Sequence, residues 1–325
     1  MEETRRKTFE VRTDLAMEER ESFPGDGGEI SGVELREWEK KDSGIRLTEV
    51  VIKNEQGARS MRKPVGTYLT LEAPLLFKQD SHEETSKELA RQIRLLFSRR
   101  GFRLDKKKPS VLVVGLGNPE ATPDSLGPRV LEHLPMTRHL CTEYGEDFSG
   151  EQGLPVLSGI VPGVMAQTGM ETAEILRGII EETRPDAVLA IDALAARTVH
   201  RLGVTIQLSD TGIHPGSGVG NHRSGLTKES LGVPVFALGV PTVVGAAAIV
   251  HDTVGAMTEL LRRNTATGQY GDFVENLEPE EQYELIREIL EPQFGPMYVT
   301  PHDIDEKVER LSRTVAEAIH EAFFR

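Results

Sequence analysis

Four short apolar runs constrain this chain more than anything else in it: Val111–Val114, Ala187–Ile191, Thr205–Leu208 and Val233–Leu238. A strand with one wet face alternates apolar and polar residues, whereas a strand buried on both faces reads as a nearly continuous apolar run. A helical stretch around Met170 to Glu182 separates the first two runs. Such strands alternating with helices predict parallel strands between two helical layers, an α/β sandwich. The C-terminal stretch adds the cleanest helix, with Ile304, Val308, Leu311, Val315 and Ile319 spaced by three and four. Thr300 is placed to cap it and Pro301 fits its first turn.

The N-terminal third follows another pattern. Residues 1 to about 43 are polar, charged and glycine-rich, which reads as an extension or loosely packed arm. Ile45 to Ile52 then predicts a strand, Asn54 to Gly57 a turn, and Gly66 to Leu71 a second strand. Leu89, Ile93, Leu96 and Phe97 share one helix face, and Gly101 stands where that helix stops. Asp105-Lys106-Lys107-Lys108-Pro109 is a charged connector. The expected fold is therefore α/β, a mostly parallel sheet sandwiched by helices, with an N-terminal β-containing arm (to residue 108) and a core over 109–325 that ends in the C-terminal helix.

Charge and cysteine content exclude several classes. Thirty-eight lysines and arginines against 52 acids leave a net charge of −14, which argues against a nucleic-acid partner held by bulk charge. Cys141 stands alone, so no intramolecular disulfide, CxxC pair or cysteine zinc knuckle can form. The charged N-terminus lacks the apolar stretch of a secretory signal. Only Val233–Val250 approaches membrane length, at 18 residues, and Pro234, Gly239, Pro241 and Gly245 interrupt it. It reads instead as a buried strand, a turn and the start of a buried helix. A cytoplasmic protein with no membrane partner is expected.

In open α/β sheets, reactive groups gather outside the carboxyl ends of the strands. Asp192 follows directly on the run Ala187–Ile191, and Asp124 lies in the loop after Val111–Val114. If those strands are neighbours, both carboxylates face one crevice. Two close carboxylates cannot both ionise cheaply, so the pair can act as acid and base; the alternative is that Asp124 caps the next helix and Asp192 caps a turn. No GxSxG elbow, HExxH helix or GxxxxGK[ST] loop is present. Gly115-Leu116-Gly117 could open a dinucleotide fingerprint, but Glu120 stands where a small residue belongs and would repel pyrophosphate, so no cofactor is expected. The glycine-dense segment Ser209–Arg223 is long for a loop between buried strands, which favours a functional role. It offers His214, Gly216, Gly218, Asn221, His222 and Arg223 as substrate or loop candidates. His214 and His222 could also join Asp124 or Asp192 around a metal, although a loop hydrogen bond is the commoner role for either histidine. Val161–Thr172 either lines the site or is a helix entry with a core-facing methionine.

Five blocks in order resemble the germination protease family of spore-forming bacteria: Arg12-Thr-Asp-Leu-Ala16; Val113–Asn118 with Thr122–Pro128; Val161–Met170; Ala190–Arg197; and Gly216–Asn221. The resemblance implies an endopeptidase that begins the degradation of small acid-soluble spore proteins in the spore core during germination. It implies a zymogen that removes its own short propeptide and a homotetramer. Two essential aspartates fall on Asp124 and Asp192, and cleavage is expected next to an acidic residue. Residues 1–14 would be the propeptide, with the clip between Asp14 and Leu15. The family is similar in fold to the hydrogenase-maturation endopeptidases, which use an acid, an aspartate and a histidine around a metal, and this keeps a metal-dependent alternative beside the aspartate pair. A third reading is a nucleotide-binding module without chemistry.

Overall fold

The computed structural model describes residues 15–21, 30–74, 82–104, 109–145, 154–216, 224–263 and 297–325, with scattered positions between 283 and 295. Its centre is a nine-stranded sheet. The strands are β1 Val33–Lys40, β2 Ile45–Ile52, β3 Gly66–Glu72, β4 Ser110–Gly115, β5 Val156–Ile160, β6 Ala187–Ala196, β7 Thr205–Ser209, β8 Val235–Gly245 and β9 Tyr298–Val299. The spatial order is β1-β2-β3-β7-β8-β6-β4-β5, with β9 added to the end of β8. β5, β4, β6 and β8 run parallel. The flank from β8 through β7, β3, β2 and β1 is antiparallel. The strands of the N-terminal arm thus extend the same sheet as the α/β core, joined where β3 pairs with β7.

Helices cover both faces, and the apolar runs show why. Along β4, Val111 and Val113 point into one core while Leu112 and Val114 point into the other. The larger core is roofed by α3 His82–Arg99, α4 Leu126–Glu132 and the C-terminal helix Ile304–Phe324. Phe97 of α3 stacks on Phe236 of β8 with ring centroids 3.8 Å apart, and Phe323 meets Phe97 edge-on at 5.3 Å. On the opposite face, Leu176 and Ile180 of the helix Thr172–Thr183 pack on Val188 and Ala190. Farther along that face, Ala16 packs with Val50, Ile52, Met61 and Tyr68.

Four local expectations are corrected. Asn54 does not begin a plain turn: it caps the helix α2 Glu55–Met61, its Oδ1 accepting from Gly57 N–H at 2.9 Å. Gly57 is required there, because a Cβ would sit 2.6 Å from Gly32 O. The run after Val233 does not turn at Gly239–Pro241, since β8 continues to Gly245 and a helix starts at Ala246. Proline is tolerated because the register with β6 slips between Leu194 and Ala195, a bulge beside Pro241. Thr300 does not cap the last helix: its Oγ1 donates to Thr242 O at 2.8 Å, and the helix starts later, at Ile304. β7 runs antiparallel to both of its neighbours. Among the described residues, no helix is long and apolar enough to cross a membrane.

Candidate active site

Asp192 does not follow its strand but lies inside it. β4 ends at Gly115, opposite Ile191, while β6 runs on beside β8 and pairs Asp192 with Gly239. Asp192 therefore sits one position past the end of the neighbouring strand, where the sheet opens a notch. It is 6% exposed, and its Oδ1 accepts from Ala193 N–H at 2.9 Å.

The β4–α4 loop brings Asp124 into that notch. After Gly115 the chain folds back through Gly117, at φ +112°, into the short 3-10 turn Thr122–Asp124. A Cβ on Gly117 would stand 1.9 Å from Asp124 O, so the loop can close this tightly only around glycine. Gly127 does the same on the far side, where a Cβ would meet Leu116 O at 2.4 Å and Ile191 O at 2.6 Å. Asp124 does not cap α4. Its Oδ2 accepts from Asn118 N–H at 2.8 Å, and Ser125 occupies the cap position. Thr242 Oγ1 donates to Pro123 O at 2.6 Å and ties the turn to β8.

Both carboxylates line one cleft of about 260 Å³. Gly163, Val164 and Thr172 form one wall, so the stretch after β5 does line the site. Its methionines do not face the core: Met165 and Met170 are exposed. Thr242 and Tyr298 also line the cleft. The sequence reading missed both. Thr242 lies inside β8, just past a glycine and a proline that read as a break, whereas Tyr298 comes from a two-residue strand with no sequence signal.

The loop after β7 divides its candidates. Pro215 and Gly216 line the cleft, but His214 lines a neighbouring pocket with Lys63 and Tyr68. Burial, and then the Lys63 charge, push the His214 imidazole below its ordinary value. Gly218, Asn221, His222 and Arg223 lie outside the described residues, as does Asp14. Among the described residues, no group of three or more His, Cys, Asp or Glu is placed to hold a metal ion. Leu15 and Ala16 are fully buried.

A family model described as germination protease matches residues 9–272 of this chain. The germination protease of Caldanaerobacter subterraneus subsp. tengcongensis is 45% identical over 313 residues, which cover 95% of this chain and 93% of that protein. The germination protease of Clostridium tetani is 40% identical, covering 95% and 94%, and that of Bacillus cereus is 39% identical, covering 97% and 94%. With a match of this extent over a cleft that holds both aspartates, the chain belongs to the germination protease family.

Proposed function

We propose that this chain is a spore endopeptidase in which Asp124 and Asp192 together activate water, and that its substrates are the small acid-soluble spore proteins. The observation that supports this reading is the shared cleft: two carboxylates, one from the β4–α4 loop and one from within β6, line one cavity at the end of β4. One ionised carboxylate takes a proton from water, whose oxygen attacks the peptide carbonyl. The other, protonated, delivers its proton to the departing amine. A coupled pair titrates as a unit, so the two roles belong to the dyad rather than to one residue. The same cleft would remove residues 1–14 by cutting between Asp14 and Leu15, and the mature chain would act as a homotetramer in the spore core.

The test is turnover of a purified small acid-soluble spore protein by Asp124→Asn, Asp192→Asn and the double variant. Asparagine keeps the shape and cannot exchange a proton at working pH. Each single change should abolish nearly all turnover, and the double should lose little more, because members of one catalytic unit are grossly non-additive. A single variant with near-normal turnover, or losses that multiply in the double, would rule out the paired mechanism.

A further inference from the structure

Asn118 does not line the cleft, yet it is the residue on which the loop carrying Asp124 converges. Its N–H donates to Asp124 Oδ2 at 2.8 Å, its Oδ1 accepts from Glu120 N–H at 3.0 Å, and its carbonyl accepts from Ala121 N–H at 3.1 Å. Ala121 O accepts in turn from Asp124 N–H at 2.8 Å, so both the backbone and the carboxylate of Asp124 are tied back into the loop. The residue types account for this shape. An asparagine side chain can bond the backbone two residues on, and a proline in second place presets the φ of the turn. Asn118-Pro119 supplies both. With one oxygen of Asp124 held by Asn118 N–H, the other lies towards Gly117, where a Cβ would stand 3.1 Å from Asp124 Oδ1, and Gly117 does line the cleft.

The same side-chain oxygen makes a contact outside the loop. Asn118 Oδ1 also accepts from Gln167 Nε2 at 3.4 Å, and Gln167 belongs to the short helix Met165–Thr168 that follows Gly163 and Val164. The wall that bears Asp124 and the wall built from Gly163 and Val164 are thus joined through one asparagine oxygen. We infer that Asn118 is a positioning residue for the aspartate pair: its side chain sets the Gly117–Asp124 loop so that Asp124 meets the cleft with one oxygen bonded and the other turned to Gly117. This inference rests on the reading of the cleft as a peptidase site. Without the side chain, the N–H that holds Asp124 remains but nothing fixes its direction.

Two measurements separate this role from the peptidase reading. The first is turnover of a purified small acid-soluble spore protein by Asn118→Ala and Asn118→Asp, each taken at its own optimum pH because aspartate adds a charge near the pair. Alanine removes the acceptor, and a displaced reacting group loses rate steeply, so kcat should fall about tenfold or more while KM stays within about twofold. Aspartate offers Glu120 N–H and Gln167 Nε2 the same acceptor and should bring kcat back to within about threefold of the wild type. The second is hydrogen exchange of the backbone amides of residues 115–125, followed by mass spectrometry, which needs no catalysis. Exchange there should quicken in Asn118→Ala and return towards the wild-type rate in Asn118→Asp. A loop loosened and restored in this way supports the placing of Asp124 by Asn118 even where no substrate is cut, an outcome that would contradict the peptidase reading alone. A kcat for Asn118→Ala within about twofold of the wild type, a loss that aspartate does not restore, or unchanged exchange overturns the positioning role and leaves the peptidase reading standing.

Discussion

Gly117 decides where Asp124 can stand, because any side chain there would collide with the Asp124 backbone at a φ of +112°. Gly117→Ala is therefore expected to push the Thr122–Asp124 turn away from Asp192. A displacement of about 1 Å at a reacting group can cost ~10²-fold in rate. kcat for Gly117→Ala should fall by about that factor while the circular dichroism spectrum stays native, and a variant with unimpaired kcat would show that the turn does not position the carboxylate. Thr242 acts on the same turn from the other side through its bond to Pro123 O. Thr242→Val removes that bond from a side chain only 2% exposed and should lower stability by about 1 kcal/mol, read as a shift in the urea midpoint.

Helix α1, Ala16–Glu21, is held by ion pairs as well as by the burial of Ala16. Glu18 is 1% exposed, accepts from Arg197 N–H at 3.1 and 3.0 Å, and meets Arg201 Nε at 3.2 Å. Arg201 also reaches Glu72 at 3.0 Å, so one guanidinium fastens α1 and β3 to the β6–β7 connection. Arg201→Met would leave Glu18 buried beside an apolar side chain, and a loss of about 3–5 kcal/mol is expected from thermal or urea unfolding. A loss under 1 kcal/mol would mean that the network is not what holds the helix. A second buried acid, Glu88 of α3, shows the pH side of the same physics. Burial works to raise its pKa, but hydrogen bonds from Arg91, Lys40 and Gln92 outweigh it and hold the carboxyl below its ordinary 4.5. A depressed folded value means stability that is present above pH 4.5 and lost as pH falls through the lowered one. The stability gap between wild type and Glu88→Gln should thus shrink as urea midpoints are taken from pH 6 towards pH 3. A gap that is constant with pH would contradict this.

What the sequence disclosed at this scale follows from burial. β4 and β6 were legible because both of their faces are covered, which leaves an unbroken apolar run. β1 was hidden because it is an edge strand, where Glu34, Arg36, Glu37, Glu39 and Lys40 replace the apolar signal. The far half of β8 was hidden because Gly239 and Pro241 look like breakers, yet Gly239 is small so that Leu194 can fill the space a Cβ would take. The strand-end rule picked out Asp124 and Asp192 as a pair, whereas Tyr298 reaches the same cleft through tertiary structure alone.

Across the whole molecule, the β3–β7 pairing makes one sheet of the arm and the α/β core, and α3 from the arm shares its apolar face with the C-terminal helix. The larger core draws its buried residues from both parts, so residues 109–325 expressed without the arm are expected to be insoluble or unfolded. Unfolding of the full chain should appear as one transition, with far-ultraviolet and near-ultraviolet signals that coincide; two separated transitions would show independent units. The ion-anchored α1 lies just past the expected clip, so the mature N-terminus would begin on residues that are already packed. The most direct test of the aspartate pair is therefore the chain's action on itself, followed by intact-protein mass spectrometry of the purified protein held at falling pH. The wild type should give a species lacking residues 1–14 and beginning at Leu15, and Asp124→Asn and Asp192→Asn should each remain full length. Removal of the same segment at an undiminished rate in either variant would contradict the account.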